Sequence, residues 1–200
     1  MSDIIGILNY GIIGNIYNIE KVLNKLHTKY LIINNKNDFK KVDKLILPGV
    51  GTFEDAIKEL HQNDMFDTLI ASIKTKPTLG ICLGMQILSS LGFENKETVG
   101  LDIIKATVNK LDTKLLLPHL GFNTIECNND NELFKGIIDK EFYFMHSFEV
   151  NTDENILATS TYGKYKFVAA IQKERVFGVQ FHPEKSRESG IKLLNNFITL

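Results

Sequence analysis

PTLGICLGMQ, Pro77 to Gln86, decides how this chain is read. Thr78 to Ile81 has the length and apolar character of a short buried strand, and a helix is expected from about Leu83 to Leu91. Cys82 stands at the junction, with Gly80 two residues before it and Gly84 two after. A strand that turns sharply into a helix strains the residue at the turn. It also drives side chains two positions to either side into collision, so glycine is used there. G-x-C-x-G is the thiol counterpart of the G-x-S-x-G nucleophile elbow. Such a turn exposes the sulfur and aims the N-terminus of the helix at it, which favours thiolate. The Leu83 N–H then points to where an oxyanion forms at an attacked carbonyl. Most free cysteines are small buried apolar residues, and this pattern alone does not exclude that reading.

Outward from this turn, the first half of the chain alternates strand-like and helix-like segments. Ile4–Leu8, Tyr30–Ile33 and Lys44–Leu47 read as strands, and Gly11–Asn15 as a turn. Ile16–Leu26 carries apolar residues at a helical period, and Thr52 is placed to cap a helix starting near Phe53. This alternation predicts a parallel sheet covered on both faces. In the second half, 101–108, 121–127, 141–150, 156–159, 167–171 and 175–181 read as strands, several joined by short turns such as TYGK and QKER. A helix over about Ser186–Thr199 closes the chain. The expectation is an α/β fold with an open mixed sheet: a parallel wing with helices on both faces plus an antiparallel wing. Its 200 residues fit one domain, 1–200, large enough to need neither disulfides nor a structural metal.

Composition narrows the function by exclusion. A formal net charge of -1 gives no reason to expect a nucleic-acid partner. The two cysteines, Cys82 and Cys127, lack metal-ligand spacing and fit a reduced, cytoplasmic compartment. MSDIIGILNY does not read as a signal peptide, and no run approaches the ~20 apolar residues that span a bilayer. No cofactor or metal is called for.

A thiol nucleophile needs a base, and the base needs a group to orient it. His27 and His61 lie among polar residues on helices and read as solvated. His182 follows the strand RVFGVQF and precedes Pro183, which biases it towards extended geometry. In extended chain His182 and Glu184 project from one face, so Glu184 can fix the imidazole tautomer. A surface histidine beside a helix-capping glutamate is the alternative. Open parallel sheets bind ligands at the C-terminal ends of their strands, and Cys82 and His182 each follow a strand, which favours a Cys82–His182–Glu184 triad. From spacing alone His146, between Met145 and Ser147, is equally a ligand-facing or a satisfied core residue.

GICLGMQ together with GVQFHPEKS resembles the class I (triad) glutamine amidotransferases, over nearly the whole chain. The resemblance implies a flavodoxin-like sheet. It also implies attack by Cys82 on the side-chain amide of L-glutamine, release of ammonia with proton handling by His182 held by Glu184, and hydrolysis of a glutamyl thioester. LPGVGTF, PHLGFN and YFMHSF resemble the branch formed by glutaminase subunits of imidazole glycerol phosphate synthase, in histidine biosynthesis. Carried over on matching positions, Val50 and Leu83 supply oxyanion N–H groups. Gly49, Gly51, Gln86, Glu94, His146 and Ser147 surround the substrate. His119, Asn123 and Lys185 belong to the face presented to a (β/α)-barrel cyclase, which takes the ammonia in a heterodimer. NYGIIGN has Asn9 where the family usually has an acidic residue, and one extra residue before Gly14; Phe122 replaces the usual Trp. These departures touch the partner-facing loop, so a paralogue feeding amidination of a surface-glycan sugar is the nearest rival. A thiol hydrolase or peptidase and a non-catalytic docking module stand further off.

Overall fold

The computed structural model of the chain describes residues 3–11, 16–127 and 130–200, so the turn expected at Gly11–Asn15 lies, beyond Gly11, outside the described residues. Strands β1 (Ile5–Leu8), β2 (Tyr30–Ile33), β3 (Lys44–Leu47) and β4 (Thr78–Ile81) alternate with helices α1 (Ile16–Lys25), α2 (Phe53–Gln62) and α3 (Phe66–Ile73). A single helical turn, α4 (Leu83–Gln86), leads into β5 (Ser89–Gly92), β6 (Thr98–Val99) and β7 (Ile104–Lys110). Then come β8 (His119–Cys127), β9 (Glu141–His146), β10 (Phe148–Asn151), β11 (Ile156–Tyr162), β12 (Tyr165–Lys173), β13 (Val176–Val179) and α5 (Arg187–Ile198).

The main sheet has nine strands in the order β2-β1-β3-β4-β13-β12-β11-β8-β9. From β2 to β13 neighbours run parallel; from β13 to β9 they run antiparallel. The expected mixed sheet with two wings is therefore present, and β13, last in sequence, inserts beside β4 at its centre. Strand alternation sorts the core. Ile5, Ile7, Ile46, Leu79 and Ile81 pack on one face with Ile19 and Leu23 of α1 and Leu193, Leu194 and Phe197 of α5. Leu8, Leu45 and Leu47 face the other side and meet Leu60 of α2 and Leu69 of α3. Thr52 caps α2 by accepting a hydrogen bond from the Asp55 N–H at 3.2 Å.

Four departures from the sequence reading matter. The helix expected to run to Leu91 stops after one turn. Carbonyls that would have extended it are taken from outside: Leu101 N–H donates to Ile87 O at 2.9 Å and Ile104 N–H to Leu88 O at 3.0 Å. Residues 89–92 become β5 of a second sheet, β10-β7-β5-β6, which the sequence reading did not anticipate. Its buried Ile104, Val108 and Val150 share the core of α2 and α3, so an apolar run buried all round carried no period to separate helix from strand. The strand expected over 141–150 divides at Ser147, β9 pairing in the main sheet and β10 in the small one. Helix α3 was likewise not foreseen.

Candidate active site

Cys82 sits at the C-terminal end of β4 with φ 53° and ψ -108°, a backbone conformation that costs energy for any residue other than glycine. Its N–H donates to Val179 O at 2.7 Å, which ties the turn to β13. The two glycines are there for space. A Cβ at Gly84 would stand 1.8 Å from Leu47 O, and one at Gly80 2.5 Å from Gly84 O. Both obstacles are backbone. Gly84→Ala is therefore expected to destabilise the fold by about 3 kcal/mol or more, read as a lower midpoint in chemical denaturation.

β4 and β13 are parallel neighbours with Ile81 opposite Val179, so the segments leaving their C-terminal ends meet. His182 arrives three residues after β13. The antiparallel wing curls until its edge strand reaches this segment: His182 N–H donates to Tyr143 O of β9 at 2.8 Å, and Tyr143 N–H donates to Ser186 Oγ at 2.9 Å. His182 Nδ1 lies 2.8 Å from Glu184 Oε1, with both side chains fully buried. A carboxylate only accepts, so Nδ1 carries the proton and Nε2 is turned to Cys82. Burial alone lowers the affinity of this imidazole for a proton; the Cys82 sulfur and the Glu184 carboxylate outweigh it and raise its pKa to about 10. The pairing of 182 with 184 has a different origin from the one expected. Only His182 is extended; Pro183–Lys185 forms a 3₁₀ turn, and the turn, not strand alternation, brings Glu184 back to the ring.

A cavity of about 190 Å³ opens beside the sulfur, lined by Val50, Gly51, Cys82, Leu83, Gln86, Glu94, Pro118, Met145, His146, Ser147 and Phe148. A larger cleft, about 280 Å³, lies at the opposite ends of β4 and β13 among Lys74, Lys76, Lys173 and Arg175, and no cysteine or histidine lines it among the described residues. Leu83 opens α4, so its N–H has no partner within the helix. Gly51 has φ 119°, open to glycine and rarely to other residues. Gly49 lies behind the wall: a Cβ there would stand 2.7 Å from the Tyr10 hydroxyl and 2.8 Å from Leu83 Cβ. Glu94 Oε2 accepts from Phe53 N–H at 2.9 Å; burial raises its pKa, and this bond opposes the rise.

His146 Nδ1 lies 2.9 Å from Phe148 O, His146 Nε2 3.1 Å from His119 Nδ1, and His119 Nε2 3.3 Å from Asn123 Nδ2. The Phe148 carbonyl only accepts, so His146 Nδ1 carries a proton; with both rings neutral, His146 Nε2 accepts from the His119 Nδ1–H and His119 Nε2 accepts from the Asn123 amide. Burial holds His146 down to about 3 and His119 down to about 4. This corrects one expectation. His119 does not stand on an outer face: it is 3% exposed, paired in register with His146 and stacked on Phe144 and Tyr162. Asn123 and Lys185 are partly exposed. Lys185 Nζ sits 5.7 Å from the Tyr143 ring centre, Tyr143 meets Phe122 edge-on, and Arg187 covers Phe122 at 4.2 Å.

Two residues here escaped the sequence reading. Tyr10 is buried and its hydroxyl donates to Pro48 O, at the strand end before Gly49. Gln180 is fully buried with Nε2 3.6 Å from Cys82 Sγ. Gln180 precedes His182 by two in an apolar strand, a spacing that was available to be read. Together these groups can deliver a thiol-based attack on an amide, with a base and N–H groups at hand.

Residues 8–200 match the family described as glutamine amidotransferase class-I. A Campylobacter jejuni protein named imidazole glycerol phosphate synthase subunit HisH 1 is 43% identical over 193 residues, covering 94% of this chain and 96% of the relative. The HisH subunit of Methanocaldococcus jannaschii is 42% identical over 199 residues, covering 98% and 99%. Among solved structures, a glutamine amidotransferase superposes with a TM-score of 0.77 at 18% identity, covering 98% of this chain and 97% of that one. PurLQS from Thermotoga maritima gives 0.71 at 16% identity, covering 100% and 99%. At such identities the structures speak for the fold alone, and they agree on it. The match over nearly the whole length means that this chain belongs to the class I glutamine amidotransferase family.

Proposed function

We propose that this chain is the glutaminase subunit of imidazole glycerol phosphate synthase, acting in the cytoplasm as one domain beside a (β/α)-barrel cyclase. The observation that carries the chemistry is the placement of Cys82 and His182 at the ends of adjacent parallel strands, with Glu184 2.8 Å from the imidazole. The acceptor pathway rests on the near full-length relatives, which are named as subunits of that synthase.

The Cys82 thiolate attacks the side-chain carbonyl carbon of glutamine. The tetrahedral oxyanion is held by the Leu83 N–H and, when its peptide faces the cavity, by the Val50 N–H. His182 gives its proton to the departing nitrogen, the C–N bond breaks, and ammonia leaves behind a glutamyl thioester. Water attacks the thioester, His182 takes its proton, and glutamate departs as the thiolate re-forms. Glu184 holds the Nδ1–H throughout and stabilises the imidazolium. Gln86, Glu94, His146 and Ser147 surround the amino-acid end of the substrate. Asn123 and Lys185 belong to the partner-facing side, with His119 beneath it.

Free ammonia gains a proton in water and ceases to be a nucleophile, so turnover is useful only when the cyclase is docked and its acceptor bound. Gly49 and Gly51 flank Val50 and let that peptide take two orientations at low cost. One missing oxyanion donor lowers a rate by about 10²–10³. Glutamine turnover is therefore expected to be low for the free subunit, higher with co-purified cyclase, and highest with cyclase and its acceptor. Equal rates in all three states remove the switch, and failure to pair with a cyclase from histidine biosynthesis removes the pathway.

A further inference from the structure

The Gln180 side chain has no role in the reaction as written, yet it is fully buried against the reacting sulfur. Its orientation is fixed from a distance. Phe148 O accepts from Gln86 Nε2 at 3.0 Å and from His146 Nδ1 at 2.9 Å. A carbonyl can only accept, so the nitrogen of the Gln86 amide must be the atom on that side. The same nitrogen lies 3.2 Å from Gln180 Oε1 and donates its other hydrogen there. That leaves the Gln180 nitrogen on the sulfur side, 3.6 Å from Cys82 Sγ. One backbone carbonyl thus orients two amides in series, and the series ends at Cys82.

We propose that Gln180 is a positioning residue that donates an N–H hydrogen bond to the Cys82 thiolate and holds the sulfur in its attacking rotamer. His182 and Gln180, two apart along the chain as it leaves β13, hold the sulfur between them. The need for such a donor follows from the Met145 carbonyl oxygen, 3.9 Å from Sγ, which accepts from the thiol S–H and opposes negative charge once that proton is gone. An N–H donor keeps the thiolate stabilised without adding a proton that competes with the imidazolium for the leaving nitrogen. Gln86 enters the same account: both of its N–H groups are committed to Phe148 O and Gln180 Oε1, so what it offers a ligand in the cavity is its carbonyl oxygen, an acceptor suited to an α-ammonium group.

This inference rests on Cys82 being the nucleophile. The test uses full-length protein carrying Cys127→Ser, complexed with its cyclase, and compares Gln180→Glu with Gln180→Met. Glu keeps the acceptor for Gln86 but places a carboxylate against the sulfur; Met keeps the volume and removes both hydrogen bonds. Hydrogen bonds to charged groups have a size that corresponds to a loss of about tenfold to hundredfold in kcat, with KM changed far less, and Glu should lose more than Met. The acid limb of Cys82 alkylation by iodoacetamide should move to higher pH in both. Unchanged kcat and an unchanged alkylation profile in the Met variant overturn the role of Gln180. A rise in KM alone, with kcat unchanged, assigns Gln180 to substrate binding and overturns it as well. If Gln180→Glu fails to fold, the Met variant still decides. Full glutamine turnover in Cys82→Ser overturns the nucleophile instead, whatever Gln180 does.

Discussion

Cys82→Ser is expected to leave the fold in place and to lower glutamine hydrolysis by at least about 10⁴-fold, the scale on which loss of a catalytic nucleophile is felt. Oxygen replaces sulfur with little change in volume, and the φ 53° backbone is imposed by Val179 O and by the glycines around it, not by the side chain. The hydroxyl, however, is far less acidic than a thiol. The imidazole of His182 and the amide N–H of Gln180, sufficient to stabilise a thiolate, are insufficient to keep an alkoxide there. Cys127→Ser is the matched control, a half-buried thiol that does not line the cavity, and should keep wild-type turnover. Ammonia release by the cyclase complex measures both. Wild-type activity in Cys82→Ser would remove the nucleophile assignment and the mechanism with it.

The second large effect is expected at the base. His182→Asn should lose about 10⁴-fold in kcat, because among the described residues no other group at the sulfur can hand a proton to the leaving nitrogen. Glu184→Gln should lose less, about tenfold to hundredfold, since its carbonyl oxygen still accepts the Nδ1–H while the charge is gone. The pH dependence separates orientation from charge. The pKa of His182 is raised to about 10 by the sulfur and the carboxylate acting against burial. A raised value means the protonated ring persists through neutral pH and is lost as pH rises towards 10, so kcat/KM should fall on that alkaline limb. Removing the Glu184 charge removes one cause of the rise, and the limb should shift to lower pH in Glu184→Gln. An unmoved limb would mean that Glu184 orients the ring without stabilising its charge. A silent Glu184→Gln would reduce the triad to a dyad.

The sequence by itself determined what depends on near neighbours along the chain. Thr78–Ile81, bounded by Pro77 and the glycine-flanked cysteine, could be read to the residue because strand length and turn chemistry are local. The same holds for the Thr52 cap and for the alternation of strand and helix that made the sheet parallel. It named Cys82, His182 and Glu184 because each sits at a junction whose geometry a few residues impose. Even there it erred on cause, since the 182–184 pair is closed by a 3₁₀ turn. Only the tertiary structure decided which strand ends meet. β13 lies beside β4 because of pairings between residues about 100 positions apart, and no local period records them. The same long-range closure cut the helix after Gln86, split 141–150 at Ser147 between two sheets, and turned His119 inward against His146. It also set the Gln180 amide towards the sulfur, because its direction depends on a carbonyl at Phe148 reached through Gln86. A side chain's identity is local, but its hydrogen-bond partners are chosen by backbone groups that only folding brings within reach.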